Sequence, residues 1–167
     1  MTKCILLFLL GITLNCFAQD YVYPKESPEL SLTLPVDWIP NYELHFFDAR
    51  SPDKLEQFIL LRFGEGFEVD TALVFVKGFL GEITTDLVLE SNYKRSMNDI
   101  TYHAYQGKAK AYAEYEIEIS SYIFYPKADI CYSIIYWYPL SLRERSKTRI
   151  KEILYSIEPY NRGDAHE

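Results

Sequence analysis

The stretch from Lys108 to Ile157 constrains the fold most, because it reads as two strands, a tight turn and an amphipathic helix. Residues Tyr112 to Ile119 alternate between apolar and acidic side chains, a period of two that is typical of a strand with one buried face. Pro126 to Asp129 has the composition of a turn. Ile130 to Tyr138 is apolar or aromatic at nearly every position, which predicts a strand covered on both faces in the middle of a sheet.

A helix is predicted over residues 141–157. Pro139 ends the preceding strand because proline cannot donate to a strand ladder. Ser141 and Glu144 have the spacing of a capping box, in which each side chain satisfies a free backbone amide. One stripe of the helix is apolar and contains Leu142, Ile150, Ile153, Leu154 and Ile157. The basic residues on its other sides are interpreted as a solvated face rather than a nucleic-acid site, because the chain is acidic.

The first eighteen residues have the pattern of a signal peptide. Lys3 precedes an apolar run from Ile5 to Leu14, and the small residue Ala18 follows. A run of roughly ten residues is too short to cross a bilayer. We therefore predict a signal peptide at 1–18, cleaved between Ala18 and Gln19, and no transmembrane segment in the mature chain.

Cys16 gives this leader a second interpretation, as the acylated cysteine of a lipid-anchored envelope protein. Such signals carry leucine three residues before the cysteine and a small residue directly before it, whereas this chain has Thr13 and Asn15 there. The sequence therefore favours a soluble exported product, periplasmic or secreted, and keeps the lipid anchor as an alternative.

Charge and length limit the classes of partner. Removing residues 1–18 takes away Lys3 and no acid, so the net charge moves from −7 to −8. An acidic chain argues against nucleic acid and anionic lipid as partners. The remainder suits one domain: an extended N-terminal segment at 19–28, a single α+β domain at 29–159 and a disordered tail at 160–167. Cys131 would then be the single cysteine, and its place within an apolar strand predicts a buried side chain.

The other elements follow from periodicity. Further strands are predicted at residues 30–34, 43–49, 57–63, 86–94 and 100–105. Residues Val69 to Ile83 contain a strand-like Val74–Val76, but a helical face runs through the whole segment and its length favours a helix. Gln106-Gly107 is predicted as a tight turn. Strands in blocks predict an α+β fold, with an antiparallel sheet of about six or seven strands and two helices, about 69–83 and 141–157, packed on it.

This layout resembles the PsbP-like α/β superfamily, which includes the photosystem II extrinsic subunit and the bacterial DcrB-type periplasmic proteins. The similar residues are the opening Leu32–Trp38, the Gly107 turn into a long strand, and Tyr132–Tyr138 leading through a helix to Ile153–Ile157. The resemblance covers most of residues 29–159. It implies helices packed on an antiparallel sheet and a non-enzymatic binding or assembly role, and it supplies no catalytic residues.

The search for catalytic motifs points away from an enzyme. The sequence contains no nucleophile elbow, phosphate-binding loop, dinucleotide fingerprint or zinc-protease motif. No cofactor or metal is expected. A hydrolase-like enzyme with a site near His103 is kept as an alternative, which requires His103 in a concave pocket beside an acid.

Tyrosine is the unusual component of the composition, with fifteen residues. Tyrosine is common at interfaces, but it also lines half-buried sheet faces, and both interpretations stay open. The candidate binding surface, for an unknown protein or envelope component, is Tyr112, Glu114, Glu116, Glu118 and Tyr122. Its glutamates are interpreted as a solvated face rather than an acid–base pair. The predicted function is therefore an exported, soluble, non-catalytic binding or assembly module of the cell envelope.

Overall fold

A computed structural model describes residues 18–43, 46–111, 115–127 and 129–160. Within these ranges the chain forms two α-helices and ten strands. The elements are β1 (Ala18–Tyr23), β2 (Leu30–Pro35), β3 (Ile39–Tyr42), β4 (Phe46–Arg50), β5 (Gln57–Glu65), α1 (Val69–Ile83), β6 (Thr84–Met97), β7 (Ile100–Ala111), β8 (Glu116–Lys127), β9 (Ile130–Pro139), α2 (Arg143–Tyr155) and β10 (Glu158–Pro159). Residues 1–17 of the predicted leader, including Cys16, and residues 161–167 of the predicted tail lie outside the described residues.

The strands form two antiparallel sheets. The larger has seven strands in the order β3-β4-β5-β9-β8-β7-β6, and the smaller has three in the order β1-β2-β10. The α+β class, the antiparallel pairing and the two helices are as predicted. The described residues contain more strands than the predicted six or seven, because β1, β3 and β10 were not predicted as strands.

Strand β9 lies in the middle of the larger sheet, as its two apolar faces predicted. It pairs with β5 on one side and β8 on the other. Ile134 belongs to the core beneath α2, together with Ile150 and Leu154. The next residue, Ile135, packs with Val76 of α1 on the opposite face. The sheet is therefore the middle of three layers, with α1 on one face and α2 with the three-stranded sheet on the other.

Helix α1 covers the range predicted from periodicity. Ala72, Val76 and Leu80 recur every four residues and are fully buried against the sheet. Asp70 lies in the first turn, where a negative charge is favourable to the helix dipole. At the other end the hydroxyl of Thr84 donates to the Leu80 carbonyl at 2.7 Å, and the chain passes directly into β6.

The N-terminal segment is part of the packed domain. The extended segment predicted at 19–28 contains most of β1, which pairs residue by residue with β2. Tyr21 and Tyr23 are buried and contact the ring of Phe47. The N-terminal segment is therefore extended but belongs to the domain, because these two tyrosines fill part of its core.

The predicted turn at Gln106-Gly107 is wrong, and so is the Gly107 turn used in the resemblance. Strand β7 continues through Gly107, which pairs with Ile119 of β8. A Cβ atom on Gly107 would lie 2.1 Å from the carbonyl oxygen of Val88, where the neighbouring β6 has an irregular register. Glycine is needed here for close backbone approach rather than for a turn.

The predicted capping box is also wrong. Residues Leu140–Leu142 form a short 3-10 turn, and α2 begins at Arg143 with no side-chain cap hydrogen bond. Leu142 therefore occupies the N-cap position, and Ser141 lies one residue too early to cap the helix. The helix ends at Tyr155 rather than at 157, because Ser156 turns the chain toward β10.

Candidate functional site at the end of helix α1

A pocket of about 400 Å³ opens between the C-terminal half of α1 and the seven-stranded sheet. Its apolar walls and floor are formed by Phe46, Ile59, Phe79, Ile83, Ile117 and Trp137. Four of these side chains, including Phe79 and Trp137, are only partly buried, so the pocket presents apolar surface to solvent. Concave sites with mostly apolar walls are the usual places where proteins bind small groups.

Sheet register brings the pocket residues together from distant parts of the chain. Arg50, Gln57 and Trp137 lie opposite one another on β4, β5 and β9. Asp48 is two residues before Arg50 and therefore shares its face, next to Asn41 on β3. These pairings are long-range, so no local pattern in the sequence could have indicated the pocket.

The rim of the pocket is polar and ordered by hydrogen bonds. Asp48 is only 4% exposed. Its Oδ1 accepts from Asn41 Nδ2 at 2.8 Å, and its Oδ2 accepts from Gln57 Nε2 at 3.3 Å. Arg50 Nε lies 3.5 Å from the same Oδ2, and its side chain is mostly exposed. These contacts satisfy the buried carboxylate and leave the Arg50 guanidinium accessible at the pocket mouth.

A larger cleft, of about 670 Å³, lies between α2 and β2. Arg145 and Arg149 line it, but both also bind the carboxylate of Glu56. Their positive charge is therefore already compensated within the molecule. The pocket at the end of α1 is the stronger candidate, because Phe79 and Trp137 expose part of their aromatic surface in it.

Glu56 is a buried carboxylate that joins three elements. It is 0% exposed. The hydroxyls of Tyr136 and Ser146 donate to its Oε1 at 2.6 and 2.7 Å. Arg145 Nη2 lies 2.8 Å from its Oε2, which Arg149 also binds. Burial, and then the neighbouring Glu56 carboxylate, raise the pKa of Tyr136 far above its ordinary value.

The basic residues of α2 are therefore not a purely solvated face, contrary to the sequence interpretation. In addition to the two arginines on Glu56, Arg143 Nε lies 2.6 Å from the carboxylate of Glu118, and Lys147 Nζ lies 3.8 Å from it. The basic side of α2 therefore faces two carboxylates, Glu118 of β8 and Glu56 of the loop before β5. Charge pairing, as well as apolar packing, fixes α2 in place.

The structure separates the residues of the predicted binding surface. Tyr112 and Glu114 lie outside the described residues. Glu116 is exposed at the start of β8, but Glu118 is buried beneath α2 and paired with Arg143. The solvated placement predicted for Glu118 is wrong, because α2 covers this face of β8.

The exposure predicted for Tyr122 is also wrong. It is 4% exposed and packs edge-to-face on Tyr102 in the core. Burial raises the pKa of Tyr122 to about 12. Of the two interpretations of the tyrosines, the core interpretation fits those of β9: Tyr132, Tyr136 and Tyr138 are all buried on the α2 face.

His103 and Cys131 lie on the α1 face of the sheet. His103 is half-buried in β7 and lines neither of the two clefts above. Burial and the nearby Lys94 lower the pKa of His103, against a smaller opposite effect of Asp70. Cys131 is a free, fully buried thiol, as predicted, and burial raises its pKa.

No group of three histidine, cysteine, aspartate or glutamate side chains in the described ranges is placed to hold a metal ion. Neither described helix has the length and apolar character needed to cross a membrane.

Comparison with known proteins identifies the fold. No protein-family model matches the sequence, and no curated protein is significantly similar to it. Cyanobacterial PsbP (CyanoP) from Synechocystis superposes with a TM-score of 0.66 at 12% identity, over 90% of this chain and 96% of that protein. LpqN of Mycobacterium tuberculosis, described as involved in cell envelope biogenesis, gives 0.59 at 10% identity, over 86% and 92%.

A Bacteroides thetaiotaomicron protein gives a TM-score of 0.62 at 13% identity over 87% of this chain, which spans only 50% of that protein. These structures confirm the PsbP-like fold that the sequence resembles. Identities this low show a common fold and nothing about activity.

Proposed function

We propose that this chain, with its PsbP-like fold, is an exported, non-catalytic binding module of the cell envelope. It receives an apolar group of its partner in the pocket at the end of α1. The observation that carries the proposal is the pocket itself, where partly exposed Phe79 and Trp137 face a rim ordered around the buried Asp48.

The chemistry of the pocket defines the group it takes. Covering its aromatic walls favours binding, by about 25 cal/mol for each Å² of apolar surface removed from water. The rim offers the exposed guanidinium of Arg50 beside the amides of Asn41 and Gln57. The preferred occupant is therefore a ring or branched chain next to an anionic or hydrogen-bonding group.

Two observations support export to the envelope. The leader has a signal-peptide pattern that ends at Ala18. Cleavage before Gln19 would keep residues 19–23 paired with β2, so the fold would survive the cut. LpqN, a protein of this fold, is described as involved in cell envelope biogenesis.

Export is tested by the intact mass of the product recovered from the envelope or medium of an expressing bacterium. A mass that corresponds to a chain beginning at Gln19 supports the proposal. A mass that corresponds to a diacylated or triacylated chain beginning at Cys16 would instead show the lipid-anchored alternative. A cytoplasmic product that retains Met1 or Thr2 overturns export.

Binding in the pocket is tested with the fluorescent probe 1-anilinonaphthalene-8-sulfonate, which joins apolar rings to an anion. Phe79→Glu places a charge in the pocket, and Val88→Glu places the same charge at an exposed apolar position of β6, outside both the pocket and α1. We expect Phe79→Glu to weaken probe binding at least about tenfold, or about 1.4 kcal/mol, and Val88→Glu to leave it unchanged.

Equal losses in the two variants, or no loss in Phe79→Glu, would overturn the pocket assignment. Circular dichroism checks that each variant folds. Should Phe79→Glu fail to fold, Ala111→Trp fills the pocket from the sheet side and is expected to exclude the probe in the same way.

A further inference from the structure

The outer side of α1 carries apolar surface that the domain does not cover. Val74 is 68% exposed and Phe75 is 56% exposed. The ring of Phe75 contacts those of Phe63 and Phe67, with centroids 6.0 and 5.8 Å apart. We call these four residues the α1 patch. Contiguous exposed apolar surface on a folded protein commonly marks an interaction site.

Two glycines extend the exposed side of the helix. Gly78 and Gly81 are exposed, and a Cβ atom on either would meet nothing within 4 Å. Each glycine within a helix costs about 1 kcal/mol relative to alanine. Packing inside this molecule does not require them, whereas close approach of another backbone to this side of α1 would.

The charged residues on either side of Val74 along α1 indicate the kind of partner whose charges would complement this surface. Asp70 precedes it by four residues and Lys77 follows it by three, and both are exposed. At 100° and 1.5 Å per residue they lie on the same flank, roughly 6 and 4.5 Å from Val74 in opposite directions along the axis. Asp70 and Lys77 are thus nearly equally far from Val74 on opposite sides. When a second copy of the helix runs antiparallel across Val74, the acid of each copy meets the base of the other.

We propose that the α1 patch is a contact surface for a second copy of this chain, with the two α1 helices antiparallel about a two-fold axis beside Val74. In this arrangement each Asp70 lies opposite Lys77 of the second copy, and each Val74 packs on its counterpart. Gly81 is seven residues after Val74 and lies on the same side of the helix, where the missing side chain leaves room for the other copy. A closed two-fold contact uses the same residues on both copies, as this pattern requires.

A charge-swap series tests the contact by sedimentation of the exported product over a range of concentrations. Asp70→Lys and Lys77→Asp each place like charges together twice per dimer, so each should raise the dissociation constant roughly tenfold. Mixing the two variants, or combining both changes in one chain, restores opposite charges and should restore association. Val74→Glu should abolish it.

Glu144→Lys is the matched control, because it places a cation in the first turn of α2, as Asp70→Lys does in α1. It should leave the dissociation constant unchanged. A chain that stays monomeric at every concentration overturns the proposal. Association that ignores the swaps, or that is not restored in the mixture, also overturns it. The result is independent of the pocket test, because Asp70, Val74 and Lys77 do not line the pocket.

Discussion

The hydroxyl of Tyr136 donates a 2.6 Å hydrogen bond to a Glu56 carboxylate that has no exposed surface. Tyr136 lies in β9, and Glu56 lies in the loop before β5. Arg149 of α2 binds the second oxygen of the carboxylate. One anion thus holds together the central strand, the preceding loop and the second helix.

Neutralising this anion should destabilise the fold more than removing a comparable surface charge. Glu56→Gln leaves Arg145 and Arg149 without their counter-ion, and breaking a buried pair costs roughly 3–5 kcal/mol. We expect about 3 kcal/mol, because both arginines are partly exposed. Asp53→Asn, which removes the exposed partner of Arg145, should cost less than about 1 kcal/mol. Urea unfolding measures both, and similar losses would contradict the assigned role.

Gly107→Ala should be strongly destabilising. The added Cβ would lie 2.1 Å from the Val88 carbonyl oxygen and 2.8 Å from Leu89 Cδ2, so β6 would have to move. Overpacking typically costs about 1–3 kcal/mol, and we expect the upper end of this range because the contact is with backbone. Thermal or urea unfolding measures the loss. A nearly neutral substitution would show that β6 and β7 are not held so close together.

Gly78→Ala should have the opposite effect. No atom within 4 Å opposes the new methyl group, and alanine gains about 0.5–1 kcal/mol over glycine in a helix. The melting temperature should rise by about 1–4 °C. The measurement is made at low protein concentration, where association does not contribute. A lower melting temperature would mean that residue 78 does not lie on an open helix face.

Stability should fall in acid as Glu29 becomes protonated. Burial alone would raise the pKa of Glu29, but hydrogen bonds from Arg62 and Tyr132 outweigh it and hold the pKa below its ordinary value of 4.5. A pKa that is lower in the folded state contributes stability above about pH 4.5, which is lost as the pH falls through the folded value.

Glu29→Gln tests this contribution by urea unfolding between pH 3 and pH 7. The difference in unfolding free energy between wild type and variant should be constant above about pH 5 and should shrink below pH 4.5. The exposed Glu26→Gln is the control and should follow the wild-type profile. A difference that grows toward acid pH would reverse the sign of the assigned pKa shift.

The elements that were predicted correctly are those whose signal is local. The four-residue recurrence of Ala72, Val76 and Leu80 defined α1, and two apolar faces placed β9 in the middle of the sheet. The failures have non-local causes. Gly107 has the chemistry of a turn residue but serves a contact with β6, and the alternation in β8 could not show that α2 would cover Glu118.

The candidate site could not be predicted from the sequence. Its rim depends on the register of β3, β4 and β5, and its walls depend on where α1 ends above the sheet. No sequence motif surrounds Asp48 and Arg50. They form part of a pocket only because strand pairing brings Gln57 and Trp137 next to them.

Tyr136 and Trp137 are consecutive residues, so one short segment of β9 supports the buried carboxylate on one face and the pocket on the other. This segment cannot rotate without breaking the contacts of Tyr136. An arriving group therefore meets a wall already fixed in shape, and little motion has to be frozen when it binds. A wall of fixed shape favours ligands whose shape matches it, and a flexible wall would instead adapt to many different ligands.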